Sequence, residues 1–147
     1  MNLFKDDLQF GQRYELEAVK YFRHKTFEQS KDLFKDYDLK FYKKKSNRYY
    51  TVEVKSDRLM CLTGNMCIEY ECNNKPSGIS TSKATYWAIF EIIDNNNYIL
   101  YKIKRIDLEK ILENKNNIKK VQGGDGLRSK MYLINKSLLK DYIVKMK

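Results

Sequence analysis

The 147-residue chain has little of several residue types on which common mechanisms depend. Its single histidine, His24, excludes every site that needs two imidazoles and argues against a conventional Ser-His-Asp hydrolase. The three cysteines, Cys61, Cys67 and Cys72, show no paired CxxC spacing, which argues against a disulfide framework and against a structural zinc site. Any metal chemistry must therefore be carried by carboxylates.

The chain also lacks the features that divide, export or embed a protein. There is one proline, Pro76, and no repeat or low-complexity linker, so we expect residues 1–147 to form a single domain. No apolar run reaches about 18 residues, and the N-terminal residues form no apolar signal core. We expect an intracellular protein without a membrane partner, in the host-cell cytoplasm if a virus or phage encodes it.

Positive charge is what the chain has in excess. Lys and Arg number 29 against 19 Asp and Glu, a formal net charge of +10. Such an excess favours polyanions, above all nucleic acid, because cationic side chains neutralise phosphates. Lysine-rich composition alone, together with abundant asparagine, is the other explanation, and charge by itself leaves the two open.

The hydrophobic pattern predicts a mixed α/β fold. Apolar residues recur at helical spacing over residues 6–25, and Glu15 lies along this otherwise apolar stripe. Alternation predicts strands, and turn or capping residues predict the segments between them. The predicted strands are 37–44, 48–55, 65–71, 85–93, 98–104 and 131–135, with turns at 73–78 and 122–126, and the later helices are 80–84, 105–115 and 137–145.

The first two strands form a hairpin whose register decides which side chains meet. If Leu39 shares an apolar face with Val54, a two-residue turn at Ser46-Asn47 places these two opposite each other. Asp38 then lies opposite Lys55 and beside Glu53 on the polar face. A shift by one residue buries Asp38 among the valines.

This polar face gathers Asp38, Glu53 and Lys55. Two carboxylates are suited to a hard divalent cation, which activates a bound water and offsets phosphate charge. Glu53 and Lys55 project from the same side of one strand, about 6.6 Å apart along it. Asp36 is the reserve metal ligand, whereas Asp32 and Asp57 are expected to be solvated or at a loop start.

The order of these residues resembles the PD-(D/E)XK nuclease superfamily, in particular small phage and large-virus members. The segments YDLKF, YTVEVKSD, GNMCIEYE, KPSGISTSKATYW and GGDG carry the likeness, although Tyr37 stands where the motif has proline. The resemblance implies an α/β fold with a restriction-endonuclease-like core, a central mixed β-sheet flanked by helices. It implies Asp38, Glu53 and the Val54 carbonyl as ligands of Mg²⁺, for which Mn²⁺ can substitute, Lys55 as the catalytic lysine, and Glu15 near the metal.

Candidate DNA contacts lie in two further segments. Lys75, Ser77 and Lys83 belong to KPSGISTSK, in which small hydroxyls, backbone N–H groups and lysines suit phosphates. Arg128 and Lys130 flank the GGDG turn. An ordinary capped turn and an ordinary glycine turn remain open for these segments, as does a second-ligand or solvated role for Glu69 and Glu71.

The sequence thus predicts a Mg²⁺-dependent DNA endonuclease, structure-selective or weakly sequence-specific, with recombination, junction resolution, repair or DNA degradation as its roles. Cutting both strands of a junction would need a homodimer, which stays open. The alternatives are a non-catalytic nucleic-acid-binding module on the same fold and a structural or assembly protein with an exposed Glu-Lys pair of little energetic weight.

Overall fold

The computed structural model describes residues 3–30 and 37–147, and this part of the chain is a mixed α/β structure with two β-sheets. The six-stranded sheet contains, in spatial order, β1 (Phe27–Gln29), β2 (Leu39–Lys43), β3 (Arg48–Asp57), β6 (Tyr86–Ile92), β7 (Tyr98–Lys104) and β10 (Ile143–Met146). The four-stranded sheet has the order β5 (Lys75–Pro76), β4 (Asn65–Cys72), β9 (Ser129–Asn135) and β8 (Ile118–Gly123). The helices are α1 (Leu3–Ala18), α2 (Met60–Thr63) and α3 (Arg105–Glu113).

Strand direction makes the larger sheet a mixed one. β3 and β6 run parallel at its centre, whereas its other described neighbours pair antiparallel. Parallel neighbours need a long crossover, and residues 58–85 supply it. Part of that crossover, β4 and β5, belongs to the second sheet, so the two sheets are interleaved along the chain.

Two apolar clusters cover opposite faces of the larger sheet. On one face α1 packs through Tyr14, whose ring lies 5.0 Å from that of Phe90, and Phe22 stacks on Phe41 at 5.0 Å. On the other face Trp87, 1% exposed, packs with Ile68 and other residues of the second sheet.

The hairpin prediction is correct in its faces but wrong in its register. Leu39 pairs with Val52 rather than with Val54, and Lys43 pairs with Arg48, so the loop contains residues 44–47 rather than two residues. A shift of two residues leaves every side chain on its own face, since strand side chains alternate with a period of two. Asp38, expected opposite Lys55, lies one residue before β2, and its N–H donates to the Val52 carbonyl, so the regular pairing begins only at Leu39.

Two predicted helices are wrong. Residues 80–84 contain only the end of a 3-10 turn (Gly78–Ser80), because the Ser77 N–H and the Ser80 hydroxyl donate to the Tyr70 carbonyl and hold the segment against β4. Residues 137–145 contain most of a 3-10 turn (Lys136–Tyr142) and then β10, which pairs with the edge of β7. Isolated short helices are weak in water, and such tertiary pairing overrides them.

The other predicted elements are found within a few residues of their expected ends. The exception is the first helix, which was expected to reach residue 25 but ends at Ala18, with a 3-10 turn (Val19–Tyr21) after it. Strands β1, β5, β8 and β10 and the short helix α2 were not predicted. Among the described residues, no helix combines the length and apolarity needed to cross a membrane.

Candidate functional site

Asp38 is held against β3 by its backbone and by its side chain. Its N–H donates to the Val52 carbonyl at 3.0 Å, and its Oδ2 accepts from the Val54 N–H at 2.7 Å. Because β2 begins only at Leu39, the carboxylate takes over a position in the ladder that a strand residue would fill. Burial, followed by repulsion from Glu53, raises the pKa of Asp38 to about 7, although the Val54 N–H acts in the opposite direction.

Glu53 and Lys55 form an ion pair on the same face of β3. The Lys55 Nζ lies 2.9 Å from the Glu53 Oε1, and the Glu53 side chain is 17% exposed whereas that of Lys55 is 50% exposed. Burial lowers the pKa of the Lys55 ammonium, but attraction to Glu53, Asp38 and Glu69 outweighs this and raises the pKa above its usual value. The ammonium therefore stays charged at neutral pH while reaching solvent.

Glu15 approaches this group from α1. Its Oε2 accepts a hydrogen bond from the Gln29 Nε2 at 2.6 Å, which ties the helix to β1. Burial raises the pKa of Glu15, the Gln29 hydrogen bond lowers it, and repulsion from Glu53 raises it further. Three predicted carboxylates, Glu15, Asp38 and Glu53, thus act on one another electrostatically.

The donors fit a divalent cation with oxygen ligands, with Asp38 and Glu53 as its carboxylates. The N–H and C=O of one residue in an extended strand point to the same edge, so the Val54 carbonyl faces the side on which the Asp38 carboxylate lies. Within residues 3–30 and 37–147, however, no three His, Cys, Asp or Glu side chains are grouped closely enough to hold a metal together. Water and a phosphate oxygen would have to complete the coordination. The reserve ligand Asp36, and Asp32, lie outside the described residues.

Glu69 and Glu71, whose roles the sequence left open, separate in the structure. Glu69 in β4 accepts a hydrogen bond from the Ser129 hydroxyl at 2.6 Å and lies near enough to Lys55 to raise its pKa. Glu71 instead forms an ion pair with Lys130 at 2.5 Å. Glu69 is therefore the acid that the second sheet adds to the candidate site.

The predicted DNA-contact residues divide into two groups. Lys75 lies in β5 beside Cys72, and the Arg128 carbonyl accepts from the Asn73 N–H at 3.0 Å, so both cations belong to the same end of the second sheet. Lys130 shares this end, but Glu71 neutralises it. Lys83 is exposed, whereas the Ser77 hydroxyl is buried and has no hydrogen-bond partner in the described part of the chain.

A cleft of about 490 Å³ opens beside Lys55, between the two sheets. Its walls are largely apolar, with Trp87 and Met66 among them, and Arg58 lies at its rim over the Phe10 ring at 3.7 Å. Asp57 also borders it, but the Asp57 Oδ1 accepts from the Leu59 and Met60 N–H groups at 2.9 Å. These hydrogen bonds join β3 to the start of α2, and Asp57 is the last residue of β3 rather than the first of the next loop.

Sequence reasoning missed Gln29 and the position of Glu69. Gln29 belongs to the three-residue strand β1, which is too short for its alternation to be recognised. Glu69 was visible as a polar residue in an alternating strand, but nothing in the sequence pairs β4 with β9. Comparison with protein-family models, with curated proteins and with solved structures finds no match.

Proposed function

We propose that the chain is a Mg²⁺-dependent DNA endonuclease with a restriction-endonuclease-like core. The observation that carries the proposal is the hydrogen bond of the Asp38 carboxylate to the Val54 N–H at 2.7 Å, between Glu53 and Lys55, whose side chains form an ion pair at 2.9 Å. The parallel pairing of β3 with β6, and α1 across one face of the sheet, are consistent with that core. The proposal places the protein inside the cell, where its substrate is.

In this proposal each residue has a separate task. Asp38, Glu53 and the Val54 carbonyl hold the metal, which, when bound, lowers the pKa of a water and offsets the charge of the phosphate. Lys55, half exposed and kept cationic by its acidic neighbours, orients the attacking water or contacts the phosphate. Glu15 adds negative charge from the helix side, and Gln29 fixes its carboxylate.

A non-catalytic nucleic-acid-binding module is the second candidate. Two observations favour it: Glu53 is already neutralised by Lys55, and the described residues contain no group of three metal-binding side chains. Such a module would bind DNA without needing a divalent ion and would not cut it.

The decisive experiment incubates supercoiled, linear and branched DNA with Mg²⁺ or Mn²⁺. We expect Lys55→Ala and Glu53→Gln to lower the cleavage rate by about 100-fold or more, the range over which positioned catalytic groups act. Glu109→Gln is the matched control, because Glu109 also pairs with a cation, Arg105 at 2.7 Å, but on α3. Trp87, the single tryptophan, reports by its fluorescence that each variant is folded.

Binding measurements separate the outcomes. Saturating Mg²⁺ at about 100 times its dissociation constant should stabilise the wild-type fold by about 2.7 kcal/mol, and Glu53→Gln should lose this stabilisation. DNA binding without cleavage of any substrate selects the binding module. Cleavage that persists unchanged in both site variants disproves the assignment. Gel filtration with a branched substrate tests whether a homodimer forms.

A further inference from the structure

A second basic region, apart from the predicted DNA-contact residues, forms a groove at the tip of the β2–β3 hairpin. The groove encloses about 600 Å³, and its lining residues come from the chain after α1 and from the hairpin loop. They are Arg23, His24, Lys25, Thr26, Tyr42, Lys43, Lys44, Lys45 and Ser46. No acidic side chain is among these described lining residues.

Some cations of this groove contact neighbouring groups of the protein, and others are exposed to solvent. The Lys25 ammonium donates to the Phe22 carbonyl at 2.7 Å and also reaches the carbonyls of Val19 and Lys20, so it closes the end of the helical segment. Lys43 lies over the Tyr50 ring at 5.3 Å. Arg23, Lys44 and Lys45 are exposed, and no ion pair with them is found in the described part of the chain.

An open surface leads from the candidate metal site to the groove along the polar face of the hairpin. Lys40 and Tyr42 follow Asp38 on that face of β2, and Tyr49, 60% exposed, precedes Glu53 on β3. The Lys40 Nζ lies 4.1 Å from the centre of the Tyr49 ring. Cations and aromatic rings are suited to a sugar-phosphate backbone. One exposed acid adjoins this face: Glu28 of β1 pairs with Lys40 and accepts a hydrogen bond from the Tyr42 hydroxyl at 2.7 Å.

We infer that the groove formed by Arg23, His24, Lys25, Lys43, Lys44 and Lys45 binds the phosphate backbone of duplex DNA. Lys43 lies five residues along β2 from Asp38, a separation of about 17 Å. This corresponds to about five base pairs of duplex axis, at 3.4 Å each. The groove would thus hold the duplex about five base pairs from the candidate cleavage position, a distance that rests on the proposed nuclease function.

The test compares two variants that lose the same charge. Lys43, Lys44 and Lys45 are all changed to glutamine in the groove variant, and Lys115, Lys140 and Lys145 are all changed to glutamine in the control. The control lysines are equally exposed, and Lys145 lies in β10, at the opposite edge of the larger sheet from β1. Trp87 fluorescence checks that both variants are folded.

Binding of a fluorescent 20-base-pair duplex is measured by anisotropy in EDTA between about 0.05 and 0.2 M salt, the range over which phosphate contacts have their effect. Each lost phosphate contact lowers the slope of log affinity against log salt by about 0.9. We expect the groove variant to lose about two to three in slope and at least about tenfold in affinity relative to the control. Equal affinity and slope in the two variants would refute the inference.

Two further measurements distinguish DNA from a membrane as the partner of the groove, and failure of this inference from failure of the nuclease proposal. If the groove variant loses binding to anionic phospholipid vesicles while its DNA affinity equals that of the control, a membrane partner replaces DNA and the inference fails. Because EDTA removes divalent ions, the DNA result does not depend on cleavage, so failure of the nuclease proposal is seen separately. The second measurement uses DNA in which neutral methylphosphonates replace the phosphates about five base pairs from the cut. This DNA should be cleaved more slowly than normal DNA by the wild type but not by the groove variant. Equal slowing of both proteins would show that the groove does not contact the DNA.

Discussion

Replacing Asp38 with asparagine should stabilise the fold at pH 8 and have little effect near pH 4. Asparagine keeps an oxygen that accepts from the Val54 N–H, now at 2.7 Å, and removes the charge. The pKa of Asp38 is raised from 3.8 to about 7, so between these values the folded chain holds a proton that the unfolded chain releases. The Asp38 contribution to the free energy of unfolding therefore falls as the pH rises through this window and stays low above it.

The magnitude follows from the size of this window. The difference between 3.8 and about 7 corresponds to about 4 kcal/mol at about 1.36 kcal/mol per pKa unit, which is an upper limit. Asp38 keeps some contact with solvent, and water reduces the penalty, so we expect Asp38→Asn to gain about 1–3 kcal/mol at pH 8. The gain should shrink steadily as the pH is lowered from 7 towards 4.

Urea unfolding followed by Trp87 fluorescence measures this gain at a series of pH values. Asp141→Asn is the control, because the Asp141 side chain is exposed in the 3-10 turn before β10. A gain that is the same at pH 4.5 and pH 8, or a loss of stability at pH 8, would show that the Asp38 carboxylate does not carry the electrostatic cost inferred here.

Two further predictions concern the framework around the site. Lys136→Met should lower the free energy of unfolding in urea by about 3–5 kcal/mol, because it leaves the buried Glu91 carboxylate, 2.9 Å from the Lys136 Nζ and 0% exposed, without its cation. The control Glu109→Gln, at a half-exposed ion pair, should lower it by less than about 1 kcal/mol. Equal losses in the two variants would contradict the reasoning. Gly78→Ala should lower the thermal midpoint, because the φ of Gly78 is +53° and a Cβ there would lie 2.1 Å from the Glu69 carbonyl oxygen. In the control Gly11→Ala, a Cβ added in α1 meets nothing within 4 Å, so the free energy of unfolding should rise by up to about 1 kcal/mol. A Gly78→Ala protein as stable as the wild type would show that the segment before β6 is free to move away from β4.

The polar face of the hairpin was predictable because the alternation of β2 and β3 survives an error of two residues. Leu39 and Val52 lie inside in both registers, so Lys40 and Glu53 share the other face in both. Asp38 precedes the paired residues, but repulsion from Glu53 contributes to its raised pKa. The true loop length was not predictable, because residues 44–47 are suited equally to a two-residue and a four-residue connection. The error matters chemically, since Asp38 was expected opposite Lys55, whereas its N–H donates to the Val52 carbonyl and its carboxylate accepts from the Val54 N–H.

The pairing of strands in the second sheet could not be predicted from the sequence. Its strands β4 and β9 are separated by more than fifty residues of chain, and their pairing of Ile68 with Tyr132 has no local signature. Strand β8 (Ile118–Gly123) carries two exposed lysines in succession, Lys119 and Lys120, which break the alternation on which strand prediction depends. Both strands acquire their conformation from pairing with neighbours distant in sequence.

The candidate site has an excess of acidic side chains, whereas the chain as a whole carries a net positive charge. Lys55 stands among Asp38, Glu53, Glu15 and Glu69, so the carboxylates outnumber the cation within a chain of net charge +10. Such a site repels a phosphate until a divalent ion occupies it, because bound cations reverse the local field. In the proposed nuclease, cations elsewhere would then hold the DNA, at the end of the second sheet and in the basic groove at the hairpin tip. The proposed nuclease thus separates backbone binding, which needs no metal, from the approach of the scissile phosphate, which does.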